Sequence, residues 1–247
     1  MRPSGRILFL GTQPMMYSHK KKIQQALETN DLTSVVELAR EDRKVVSLLV
    51  RLAYDKSTLV GWRAITAVGL IARELARSDA EFLRETCRKL LWSLSDESGG
   101  IGWAAPELLG EIMSADPPRF IDIIPLVAQV YEAEEDTFRP GILYAFSRIA
   151  ETAPELIARH QKIMILSLAE RDPHARILGL KLIGQLWRPM RQSNLWSDEY
   201  QERISNAVAG MIYDKGEAWI FVSDGFTNVQ TGEIAIEIFK KYINTVT

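Results

Sequence analysis

A single cysteine, Cys87, stands in the 247-residue chain, and one thiol cannot close an intrachain disulfide. Histidine is almost as scarce. His19, His160 and His174 are followed by Lys, Gln and Ala, so no H-E-x-x-H or H-x-x-E-H pair exists and no metal site is expected. No G-x-S-x-G elbow and no G-x-x-x-x-G-K-[ST] phosphate loop occurs. No apolar run approaches the roughly 20 residues that span a bilayer, so no membrane association is expected. The opening "MRPSGRILFLGTQPMMYSHKKK" has only the apolar run ILFL, short of the about 7 to 15 residues of a signal-peptide core. Residues 1–17 read as a poorly ordered N-terminal extension, and Met15 or Met16 would serve equally well as a start. A cytoplasmic address is the expectation.

A basic stripe is also lacking. Residues 1–60 hold 10 Lys/Arg against 6 Asp/Glu, and the rest of the chain holds 20 against 26. Between Asp96 and Asp136 there are ten acidic residues and one basic residue, Arg119. Phosphate neutralisation supplies most of the affinity for nucleic acid, so this charge pattern argues against DNA or RNA as the main partner.

What is present is helical periodicity. Apolar residues fall at i, i+3, i+4 and i+7 in "VVSLLVRLAY", "FLRETCRKLLWSL", "FIDIIPLVAQVY" and "ELIARHQKIMILSLA". Between them lie segments that align with one another: "WRAITAVGLIA", "WAAPELLGEIM", "PGILYAFSRIA" and "ILGLKLIGQLW". Gly69, Gly110, Ser147 and Gly184 then share one position, at spacings of 41, 37 and 37 residues. Each is small, as close approach of a neighbouring helix requires. Asp55, Asp96, Asp136 and Asp172 open the connections, as turn formers and N-caps do. A two-helix unit recurring every ~40 residues marks an α-solenoid. The expected second helices cover about 60–76, 103–114, 139–152 and 174–187.

"DPHARILGLKLIGQL" (172–186) resembles the second half of a HEAT repeat, with Asp172 and Pro173 at the corner, Arg176 as the usual basic residue and Gly184 as the packing glycine. The pairing of "YDKSTLVGWRAI" with "DESGGIGWAAPELLGEI" is similar to a small prokaryotic HEAT-like family of unassigned function. The resemblance covers roughly residues 40–190 and implies a fold, an all-α, right-handed solenoid of HEAT-like (armadillo-type) helix pairs. It implies no activity.

The ends depart from the repeat. HEAT-like repeats with N-terminal capping helices are expected over 18–190, and a C-terminal cap of helix, β-hairpin and helix over 191–247. "WIFV" and "FTNVQ" read as short strands around an Asp-Gly turn, and Thr231 reads as the N-cap of the last helix. Differing terminal units cover apolar faces that a solenoid would otherwise expose.

"GIGWAA" (100–105) matches the G-x-G-x-x-A dinucleotide pattern, but helical sequence precedes it where that pattern needs a strand. No cofactor is expected. Pro106 limits the next helix to a start near Trp103 or later. Gly99, Gly100 and Gly102 then form either a tight corner, with at least one positive φ and Trp103 filling the space between helices, or a cradle for an anion. The corner is the preferred reading, because Trp62 follows Gly61 at the equivalent place. Offsets from the packing glycine place Thr66, Glu107, Tyr144 and Lys181 in one concave row. Leu70, Glu111, Arg148 and Gln185 form the next, and Arg73, Ser114, Glu151 and Arg188 a third. Neighbouring helices should thus bring Glu107 and Glu111 towards Tyr144 and Arg148, and Glu151 towards Lys181.

Two functions follow. The first is a non-enzymatic protein-interaction adaptor, whose acidic belt around Glu132, Glu134, Glu135 and Asp136 meets a partner with a basic surface. The alternative is a small-ligand site or a lyase-type enzyme built on Glu107, Tyr144 and Arg148, with Gly99, Gly100, Gly102, Trp103 and Glu111 beside them. A closed cavity at those residues favours a ligand, and an open polar groove favours a partner.

Overall fold

The computed structural model describes residues 13–95, 102–133 and 136–243. Gly99 and Gly100 lie outside the described residues, as does most of the proposed extension; helix α1 (Gln13–Glu28) already runs through its last residues. Four helix pairs follow the capping helices α1 and α2 (Leu32–Glu41). They are α3 (Lys44–Leu52) with α4 (Leu59–Leu75), α5 (Ala80–Trp92) with α6 (Ala105–Met113), α7 (Ile124–Glu132) with α8 (Arg139–Ala150), and α10 (Gln161–Leu168) with α11 (Pro173–Gln192). The short α9 (Pro154–Ala158) is inserted before the last pair. Beyond α12 (Asp198–Gly210) come β1 (Glu217–Val222), β2 (Gly225–Gln230) and α13 (Thr231–Ile238), which continues as a π-turn to Ile243.

The starts of these helices follow from local chemistry. Thr58 caps α4 by accepting from the Gly61 N–H at 3.1 Å, and Asp172 caps α11 by accepting from the His174 N–H at 2.9 Å. Proline lies in the first turn of α6, α8 and α11, where its missing N–H costs nothing. Pro106 has a further consequence. Helix α6 begins at Ala105, so Trp103 sits in the turn ahead of it and is 46% exposed. The expectation that Trp103 fills space between helices therefore fails. Its sequence counterpart, Trp62, lies inside α4 and is 7% exposed. Gly102 is not in the left-handed region; what it needs is room, since a Cβ there would lie 2.4 Å from Ser93 Oγ.

The second helices α4, α6, α8, α11 and α13 lie side by side in one row, with the broadest packing between α6 and α8. The first helices back them: α3 on α4, α5 on α6, α10 on α11. The shared small position works at the α6–α8 contact as the register implies. A Cβ on Gly110 would fall 2.3 Å from Ala145 Cα. Every residue of α6 is buried, which makes it the central helix of the molecule. Cys87 belongs to the same core, and burial pushes its thiol up to about 12, so it is a packing group rather than a nucleophile.

The C-terminal strands pair antiparallel with Val222 opposite Gly225. The turn is therefore Ser223–Asp224, with φ of 50° and 65°, and not the expected Asp-Gly pair; Gly225 begins β2. Gln230, not Thr231, occupies the N-cap of α13, and Thr231 Oγ1 donates instead to the Gly216 carbonyl at 3.0 Å.

Candidate functional site

Helix α6 carries two charges, Glu107 and Glu111, one turn apart and only 3% and 2% exposed. Burying two carboxylates is expensive unless donors meet them and space is left for them. Space comes from glycine. A Cβ on Gly69 would lie 2.0 Å from Glu111 Oε2, and one on Gly141 would lie 2.8 Å from the Glu107 carboxyl carbon. Gly69 was expected to admit a neighbouring helix backbone; what it admits is the Glu111 carboxylate.

The donors come from both sides of the row. Tyr144 Oη and Arg148 Nε each donate to Glu111 Oε1 at 2.7 Å, and Arg148 Nη2 reaches Oε2 at 3.4 Å. Arg148 also binds Glu151. Burial, helped by the charge of Glu111, pushes the Tyr144 phenol far above its usual range, so it remains a donor. Burial opposes the charge on Arg148, but Glu111 and Glu151 outweigh it and the guanidinium stays protonated. Glu107 is met differently. Lys56 Nζ donates to Oε1 at 2.7 Å, while Oε2 is buried and accepts from nothing among the described residues. Trp62 fixes the Lys56 segment by donating from Nε1 to the Lys56 carbonyl at 3.0 Å. Burial lowers the affinity of nearby His174 for a proton, so its imidazole is neutral at pH 7.

The concave face is partly covered. The β-hairpin crosses it, packed on α11 through β1, and stacks Phe221 on Trp62 at 4.9 Å between ring centres. At the hairpin tip, the Asp224 carboxylate accepts from Arg63 Nε and Nη2 at 2.8 and 2.9 Å and from Asn30 Nδ2 at 2.9 Å. Arg63 spends its other donor on the carbonyls of Leu27 and Glu28, both at 2.8 Å. These bonds hold Asp224 in the left-handed conformation that an aspartate otherwise adopts at a cost of about 1 kcal/mol or more. Between hairpin and helices lies a cavity of about 610 Å³, within the usual range for small-molecule sites.

Asp224→Ala is expected to lower stability by about 2 kcal/mol, because it strips charge-assisted hydrogen bonds from Arg63, which is only 12% exposed. The β1 and β2 amides should exchange with solvent faster than those of α6 and α8, which native-state hydrogen exchange can read. Hairpin protection equal to that of the wild type would sink the idea of a latch.

All four residues of the first concave row, Thr66, Glu107, Tyr144 and Lys181, line the cavity, as do Glu111, Arg148 and Glu151 from the other two. Glu151 turns to Arg148, and Lys181 makes no ion pair among the described residues. Gly102 and Trp103 are not part of the cavity wall. Lys56, Arg63, His174, Phe221 and Asp224 were not foreseen. Lys56 comes from a turn and Phe221 and Asp224 from the hairpin, where the repeat register has no purchase, while Arg63 and His174 lie near the starts of α4 and α11, outside the three concave rows. Of the expected acidic belt, Glu134, Glu135 and the Asp136 side chain lie outside the described residues. Between Asp96 and Asp136 every described acidic side chain has a cationic partner: Glu107 with Lys56, Glu111 with Arg148, Asp116 with Arg119, Asp122 with Arg84, and Glu132 with Lys162.

Helix pairs repeating along a single row, capped at both ends, define an α-solenoid. No family model matches the chain, and no curated protein matches it. Among solved structures, an archaeal HEAT-like repeats protein from Thermococcus onnurineus NA1 is similar at 15% identity, covering 92% of this chain and 98% of that one, with a TM-score of 0.36. The fold assignment rests on the helix pairs themselves. Among the described residues no helix is long and apolar enough to cross a membrane.

Proposed function

We propose that the protein binds a small polar ligand in the cavity between the concave helices and the C-terminal hairpin. The observation that carries this reading is Glu107, a buried residue of the cavity lining whose carboxylate Oε2 has no donor among the described residues. Leaving such a group unmet costs about 1 to 3 kcal/mol or more, which a ligand N–H or O–H would recover. The reading stops at binding. Glu111 is engaged by Tyr144 and Arg148, and burial holds the Tyr144 phenol neutral, so it serves as a hydrogen-bond donor.

The test is mass spectrometry of small molecules released from the natively purified full chain, beside a thermal-shift screen of a metabolite collection. The expected result is a molecule retained by the wild type and lost from Glu107→Gln. A molecule retained equally by both, or none retained with no stabilising compound, would overturn the reading.

The adaptor reading keeps one favourable observation. Trp92 is 61% exposed and Trp103, across the 96–101 segment, is 46% exposed, and aromatic side chains of this size anchor protein interfaces. Because the described acidic residues nearby are already paired, a partner docked there should resist salt and be released by Trp92→Ala with Trp103→Ala. Steep weakening at ionic strengths near 0.1 M, with no effect of the two substitutions, would point back to an electrostatic belt.

A further inference from the structure

The charged groups around the cavity pair off almost completely. Arg63 is matched by Asp224, Lys56 by Glu107, and Arg148 by Glu111 and Glu151 together. Two features are left over. On one side, the two carboxylates bound to a single arginine leave one negative charge in excess, next to the unmet Glu107 Oε2. On the other, Lys181 lines the cavity half-buried and makes no ion pair among the described residues. A cation held without a counter-ion in a partly desolvated site is costly, and so is a carboxylate oxygen without a donor. One ligand would relieve both if it carried an ammonium at one end and an acid at the other.

The placement of the two poles sets the shape of that ligand. Glu107 and Glu111 project from α6 and Lys181 from α11, with α8 between them in the row. Neighbouring helix axes stand about 8 to 10 Å apart, so the poles are too far apart for the adjacent charges of an α-amino acid. The cavity wall also carries apolar and aromatic side chains: Tyr144 and Leu178 from the helices, Ile220 and Phe221 from the hairpin. From this geometry we infer that the cavity takes an extended zwitterion, with its amine donating to Glu107 Oε2, an apolar body along Tyr144 and Phe221, and its acid at Lys181. The inference rests on the ligand-site reading and names the chemical class.

The probes are ω-amino acids of increasing length, from 4-aminobutanoate to 8-aminooctanoate, with hexylamine and hexanoate as single-charge controls. Calorimetry on the full chain gives the affinities, and the Trp62 indole N–H resonance, assigned by its loss in Trp62→Phe, reports occupancy of the cavity. One chain length should bind about tenfold or more tightly than either control, the loss expected when one charge-assisted contact is missing. Glu107→Gln should weaken the amino acid and hexylamine alike, and Lys181→Met should weaken the amino acid while leaving hexylamine unchanged. Binding that is equal for both controls and the best amino acid, or that is insensitive to Lys181→Met, would overturn the inference. So would silence of the Trp62 resonance with every probe. The ligand-site reading fails separately, only when the native extract and the metabolite screen also yield nothing.

Discussion

Gly110→Ala is expected to lower the unfolding free energy by about 3 kcal/mol, the upper end of what an extra methyl costs in a filled core. The added Cβ would stand 2.3 Å from Ala145 Cα and 2.7 Å from Ala145 Cβ. A side-chain tip can rotate away from such a contact, but a backbone atom cannot, so α6 and α8 must separate. That contact is the broadest helix packing in the molecule, and its loosening spreads to the core residues Leu108, Leu109, Ile142 and Phe146. Alanine recovers about 1 kcal/mol of helix propensity, which offsets only part of the loss. Gly210→Ala supplies the control. Nothing lies within 4 Å of a Cβ there, so the same substitution should stabilise by about 0.4 to 1 kcal/mol. Denaturant melts of the two variants should move in opposite directions. If Gly110→Ala unfolds at the wild-type midpoint, the row of second helices is not close-packed at this position.

Arg148→Met should cost about 3 to 5 kcal/mol, the penalty for stranding a buried charge. Glu111 would keep Tyr144 Oη as its one strong donor, and at 2% exposure its carboxylate has little water to replace the donor it lost. The pair itself is a different quantity. Replacing both partners removes the stranded charge, so Glu111→Gln with Arg148→Met should be clearly more stable than Arg148→Met alone. A double-mutant cycle by chemical denaturation measures this directly. Losses that simply add would mean that Glu111 and Arg148 do not act on one another, contrary to the 2.7 Å contact between them.

The concave face was legible because a repeat register gives direction. Once Gly69, Gly110, Ser147 and Gly184 were aligned, residues three before them had to share a side of the row, and Thr66, Glu107, Tyr144 and Lys181 do line one cavity. Helix limits were legible where proline or a capping side chain sets them, as at Pro106 and Asp172. Partners were not. Lys56 and Glu107 are 51 residues apart, and Arg63 and Asp224 are 161 apart; periodicity says which way each points but not what it meets. The acidic excess between Asp96 and Asp136 is offset in part from outside that window, since Lys56, Arg84, Arg148 and Lys162 pair with four of its described residues. Trp103 misled because α6 lacks the first turn that α4 has around Trp62.

The latch at Asp224 changes what kind of array this is. In an ordinary solenoid each unit couples only to the next, so the two ends fray independently and a unit can be added or deleted without disturbing distant ones. Here the first full pair, through Arg63, is bonded to the C-terminal hairpin, and Phe221 of that hairpin stacks on Trp62. The array is cyclic in its energetics, with each end supported by the other. Inserting or removing one helix pair would carry the hairpin tip past Arg63, so the copy number of the repeat is fixed by closure. Lengthening, the usual route by which solenoids diversify, is shut to this fold unless the hairpin is given up first.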